Sequence, residues 1–79
     1  EDERLERVQK VINSLSPQTR KVLEGCYFSG KKYVEVGNEL GISVNTVKTQ
    51  MKIALRFLRE HLNKESFSSI LLFFVEGVF

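Results

Sequence analysis

Gly37 and Gly41 lie four residues apart, with Ser43 two residues further on, and apolar side chains recur at helical spacing on both sides of them. Tyr33, Val36 and Leu40 share one helical face before the second glycine, and Gly37 sits on that face too. Val47, Met51, Ala54, Leu55, Leu58 and Leu62 form a longer apolar series after it. A glycine inside a helix costs up to about 1 kcal/mol relative to alanine. Gly37 therefore implies that something passes too close to that face for a side chain. Gly41 suits the end of a helix, and Ser43 suits the cap that begins the next one. The pattern predicts a short helix over Tyr33–Leu40, a tight turn through Gly41, Ile42 and Ser43, and a long helix fraying near Asn63–Glu65. That is the layout of a helix-turn-helix over about 33–55, with Ile42 plugging the junction and Val47 anchoring the second helix on the first.

The upstream chain supplies two more helices. Leu5, Val8, Ile12 and Leu15 follow one helical stripe among charged residues. Ser16-Pro17 then suits an N-cap followed by a first helical position, where proline loses nothing by lacking an N–H. A second helix is expected from Pro17 to Phe28. Its buried side would be Val22, Leu23, Cys26 and either Tyr27 or Phe28, and Ser29-Gly30 would end it. No strand pattern precedes the final segment. The expected fold is all-α: a small four-helix domain over 1–65, of the winged or tri-helical helix-turn-helix kind. An apolar tail follows at 66–79, with Glu76 its one charged side chain. A helix or extension packed back on the core is the expected form of that tail, and an exposed apolar patch there would favour association.

Several functional classes are excluded by what the chain lacks. Among 79 residues there is one cysteine, Cys26, and one histidine, His61. Neither a disulfide framework nor a zinc site can be assembled, and no cofactor is expected. Cys26 reads as a small buried apolar side chain in a reducing, cytoplasmic setting. No nucleophile–base pair stands out, so an enzyme is not expected. The longest apolar run, Ile70–Val75, is far short of the ~20 residues that cross a bilayer. The chain opens at Glu1 without a secretory signal and reads as a piece of a longer protein.

Charge distribution is more telling than the net +2. Lys48, Lys52, Arg56, Arg59 and Lys64 against Glu60 give +4 over residues 43–64. At 100° per residue the fourth helix separates into two faces. The apolar series fills one, while Asn45, Lys48, Thr49, Lys52, Arg56 and Arg59 fill the opposite one without a carboxylate. Solvated helices usually mix signs. In helix-turn-helix proteins the N-terminal part of the second helix enters the major groove. Asn45, Lys48, Thr49 and Lys52 are therefore the expected base contacts, since Asn can pair with adenine and Lys with guanine. Arg56 and Arg59, one to two turns on, are expected at phosphates. Further phosphate candidates are Arg20, Lys31, Lys32 and Tyr33 near helix starts, with Ser43 and Thr46 at the start of the reading helix.

The segments LSPQTRKVLEG (15–25), FSGKKYVEVGNELGIS (28–43) and VNTVKTQMKIALRFLREHL (44–62) resemble region 4 of sigma-70-type factors, specifically the extracytoplasmic-function (ECF) group. The family pattern carries alanine where Gly37 stands, and serine where Lys32 stands. The second departure leaves open what caps the third helix. The resemblance implies a module of transcription initiation that reads the promoter −35 element with Asn45, Lys48, Thr49 and Lys52. It also implies docking on the β flap of core RNA polymerase, and occlusion by an anti-sigma protein is common in the family. The region that melts the −10 element is not in this chain, so duplex recognition without opening is expected. Two alternatives stand beside this reading. One is the effector domain of a LuxR-type regulator, which shares the G-I-S-x-x-T-V-K core. The other is a protein-interaction module that uses the apolar tail, including for self-association, without binding DNA.

Overall fold

The computed structural model describes residues 3–68, apart from the side chains of Arg4 and Leu5. The expectations for Leu5 and for 69–79 lie outside the described residues. The chain runs α1 (Glu3–Asn13), α2 (Pro17–Leu23), a π-helical segment (Glu24–Phe28), α3 (Tyr33–Leu40) and α4 (Val44–His61). A last helical turn follows at 64–68. No strand occurs among the described residues, in agreement with an all-α helix-turn-helix fold.

α4 is the spine of the domain. α2 and α3 pack against it, and α1 touches it more lightly. Val47, Met51, Ala54 and Leu58, from its apolar face, enter one core with Ile12, Leu15, Val22, Leu23, Cys26 and Val36. Val47, Val22, Cys26 and Ala54 are completely shielded from solvent. Burying a side chain of the Val or Leu class contributes about 1.5–3 kcal/mol, so this seam determines where α4 can lie.

The second helix is continuous over its expected span, but its last turns widen from α to π. The Ser29 N–H reaches back five residues to the Glu24 carbonyl, at 3.0 Å. Val36 of α3 packs close against this segment: a Cβ on Gly25 would stand 3.0 Å from one of its methyl groups. Tyr27 is half-buried on the core, whereas Phe28 is 57% exposed.

The chain does not stop where α4 ends. The Asn63 side chain accepts the Ser66 N–H at 2.7 Å and its carbonyl accepts the Phe67 N–H at 3.0 Å, which starts the final turn. Ser66 is buried and Phe67 packs on the core. The first residues of the apolar tail thus belong to the folded domain.

Candidate nucleic-acid interface

The interface is built from the turn outward. α3 ends on Gly41, which adopts left-handed φ of 71°, a conformation that costs any residue with a Cβ. The Gly37 carbonyl accepts the N–H groups of both Gly41 and Ile42, the latter at 2.9 Å. With the chain so reversed, Ile42 O would lie 2.7 Å from a Cβ on Gly37. The close approach inferred from Gly37 is therefore real, but its partner is the backbone of the turn more than the facing helix. Ile42 itself packs against the core between the two helices.

Ser43 caps α4: its Oγ accepts the Thr46 N–H at 3.1 Å and lies 3.0 Å from Thr46 Oγ1. The cap fixes where the helix starts and hence which side chains occupy its first outward turn. The N-terminal end of α4 has no acidic residue, and its free N–H groups carry the positive end of the helix dipole.

Beyond the cap, Asn45, Lys48, Thr49, Lys52, Arg56 and Arg59 are all exposed, whereas Val47, Met51, Ala54 and Leu58 are buried. The six polar side chains lie on one open face, and no ion pair to a carboxylate neutralises any of its four cations among the described residues. The Thr49 hydroxyl donates to the Asn45 carbonyl at 3.1 Å, which leaves an acceptor oxygen and a methyl group for a ligand. Lys52, Arg56 and Arg59 also border a shallow groove with Leu55, closed on one side by Phe67.

The remaining phosphate candidates sit in more constrained settings. Lys32 occupies the N-cap of α3 but cannot accept a hydrogen bond there. Instead the Glu35 carboxylate accepts the Lys32 N–H at 2.9 Å, so the helix start is held from inside its first turn. Lys31 is paired with Glu39 at 2.8 Å, and a phosphate at Lys31 would have to compete with that carboxylate. Such partly exposed pairs contribute about 0.2–1 kcal/mol, which a multiply charged ligand can outweigh. Tyr33 is half-buried, and burial, with Cys26 nearby, pushes its hydroxyl pKa up. Arg20 is half-buried in α2.

Sequence reasoning missed one participant. Thr19 reads as an ordinary polar residue of α2, yet it is 4% exposed and its hydroxyl donates to Gln50 Oε1 of α4. The Ser16 hydroxyl, expected to cap α2, donates to Thr19 Oγ1 at 2.9 Å instead.

No group of residues that could hold a metal ion occurs among those described, and no described helix is long and apolar enough to cross a membrane.

Residues 5–58 match the family model described as "Sigma-70, region 4". The chain is 39% identical over 62 residues to the ECF RNA polymerase sigma factor SigK of Mycobacterium tuberculosis (strain H37Rv), covering 78% of this chain and 33% of that protein. SigK of Mycobacterium ulcerans is 37% identical with the same coverage. The ECF RNA polymerase sigma factor SigE of Mycolicibacterium smegmatis is 32% identical over 59 residues, covering 75% of this chain and 23% of the relative. The chain thus spans about a third or less of the length of these curated relatives. No solved structure gives a significant match. The family match favours the sigma reading over the LuxR-type alternative, and the relatives are named as sigma factors, in keeping with a chain that is not an enzyme. With a family match over 5–58 laid on a glycine-turned pair of helices and an unneutralised basic face, the chain belongs to the sigma-70 region 4 family, and the relatives it is similar to are ECF RNA polymerase sigma factors.

Proposed function

We propose that this domain recognises the −35 element of bacterial promoters as duplex DNA, and that it does so in the cytoplasm while docked on core RNA polymerase. The observation that carries the reading is the division of α4. One face is locked into the core, and the other presents Asn45, Lys48, Thr49, Lys52, Arg56 and Arg59 with no carboxylate partner among the described residues. In this reading the N-terminal half of α4 enters the major groove. Asn45 and Thr49 offer hydrogen-bonding groups to base edges, and Lys48 and Lys52 offer donors to guanine. Arg56 and Arg59 meet the flanking phosphates, with Arg20, Lys31, Lys32, Tyr33, Ser43 and Thr46 along the same backbone track. Phe28, Val34 and Ile53 are the large apolar side chains left exposed among the described residues, and they are the candidates for the polymerase-facing contact.

The test is selection of duplexes from a randomised library, followed by titration of the selected and a scrambled duplex across a salt series. A preferred sequence, with affinity falling steeply as salt rises, supports the reading. Lys48→Ala should then cost about 1–3 kcal/mol on the selected duplex and relax the preference at one position. Equal affinity for all duplexes, unchanged by Lys48→Ala, defeats base reading. No binding at low salt defeats the proposal as a whole and favours a protein-interaction module.

A further inference from the structure

We infer that Gln50 and Thr19 are positioning residues for sequence discrimination: their hydrogen bond sets the roll of α4 on α2 and thereby the register of the reading face. The inference rests on the proposed reading of DNA by α4 and adds residues that do not touch DNA.

Val47, Met51, Ala54 and Leu58 hold α4 by apolar contact. Such contact is non-directional, so a hydrogen bond adds a directional constraint on the angle of the helix about its own axis that apolar burial alone does not supply. A reading helix needs that angle fixed. Its side-chain tips lie about 6 Å from the axis, so a roll of about 10° moves them by about 1 Å. Recognition geometry has to hold to about 0.5 Å.

The directional constraint is the link between Thr19 and Gln50. It spans 31 residues of sequence and joins α2 to α4. Thr19 is buried and receives the Ser16 hydroxyl, so its own hydrogen is directed onward to Gln50. Gln50 is half-buried and adjoins Thr49 of the reading face on one side and Met51 of the core on the other. The link also joins two candidate contacts of different kinds. Arg20, next to Thr19, is a phosphate candidate on α2, and Thr49, next to Gln50, is a base candidate on α4. Phosphate contacts set the orientation of a protein on the duplex, and base contacts specify sequence. A bond between the elements that carry them transmits the one to the other.

The experiment compares the chain with Gln50→Ala, Thr19→Val and Thr19→Ser, each titrated with a duplex selected from a randomised library and with a scrambled duplex at several salt concentrations. Thermal unfolding is followed in parallel. Gln50→Ala and Thr19→Val should lower the ratio of selected to scrambled affinity about five- to tenfold, the scale of one hydrogen bond. The scrambled affinity and the salt slope should stay as they were. Thr19→Ser, which keeps the hydroxyl, should restore the ratio, and the Gln50→Ala/Thr19→Val double variant should lose little beyond either single one. If Thr19→Val fails to fold, Gln50→Ala with the Thr19→Ser comparison carries the test. An unchanged ratio in Gln50→Ala, or an equal loss on both duplexes, overturns the inference. A wild-type chain that does not distinguish the duplexes shows instead that the underlying reading of DNA has failed.

Discussion

The carbonyl oxygen of Ile42 occupies space that a side chain on Gly37 would claim, 2.7 Å from the position of a Cβ there. The turn between α3 and α4 is therefore closed down on the glycine, although the family pattern carries alanine at this position. Overpacking costs about 1–3 kcal/mol, and replacing a helical glycine by alanine returns up to about 1 kcal/mol. Gly37→Ala should destabilise the chain by about 1 kcal/mol net in urea unfolding, and Gly37→Val by clearly more. A rise in stability with alanine would show that the turn yields freely.

Ser43→Ala removes the acceptor for the Thr46 N–H and should cost about 1 kcal/mol of stability. Ser43→Asp keeps an acceptor at the helix start and should keep stability, while setting a carboxylate beside the proposed path of DNA phosphates. Stability and duplex affinity should therefore separate in the second variant. Equal loss of both in the two variants would remove Ser43 from the interface.

Arg56→Ala and Arg59→Ala should weaken binding to every duplex alike. Each should reduce the slope of log affinity against log salt by about 1, as expected for the loss of one phosphate contact. A change in sequence preference with an unaltered slope would move these arginines from phosphates to bases.

Cys26 carries a pH signature. Burial pushes its thiol from an ordinary value of 9.0 up to about 11. The unfolded chain releases this proton first, so the folded state is the one that holds more protons between those values. Stability is complete below about pH 8 and is lost as the pH rises from 9 toward 11. Tyr27 and Tyr33, whose hydroxyls are also pushed up by burial, act in the same direction. Denaturant midpoints at pH 8 and pH 10 should fall further apart in the wild type than in Cys26→Ala. Equal gaps would mean that the thiol ionises as readily in the folded chain as in the unfolded one.

The helix-turn-helix was legible because its determinants are local. Gly41, Ser43 and the apolar series from Val47 act within a few residues of themselves, and Tyr33–Leu40 is bounded as the pattern predicts. The exposed face of α4 was legible for the same reason, since helical spacing alone separates Lys48 from Val47. What escaped depends on partners far along the chain. The π-helical turn at Glu24–Phe28, where Gly25 lies against Val36 across the core, is not registered by helical periodicity. Thr19 is buried by α4, and its link to Gln50 leaves no trace in local pattern. Lys31 looks like a free cation until α3 brings Glu39 alongside.

Phe67 lines the shallow groove with Lys52, Leu55, Arg56 and Arg59, so the final described turn lies beside the basic face. A fluorophore coupled at the exposed position 68 would sit beside that face and would work as a proximity sensor for DNA bound as proposed. A bulkier group attached there would crowd the same approach and would report an artificially slow association.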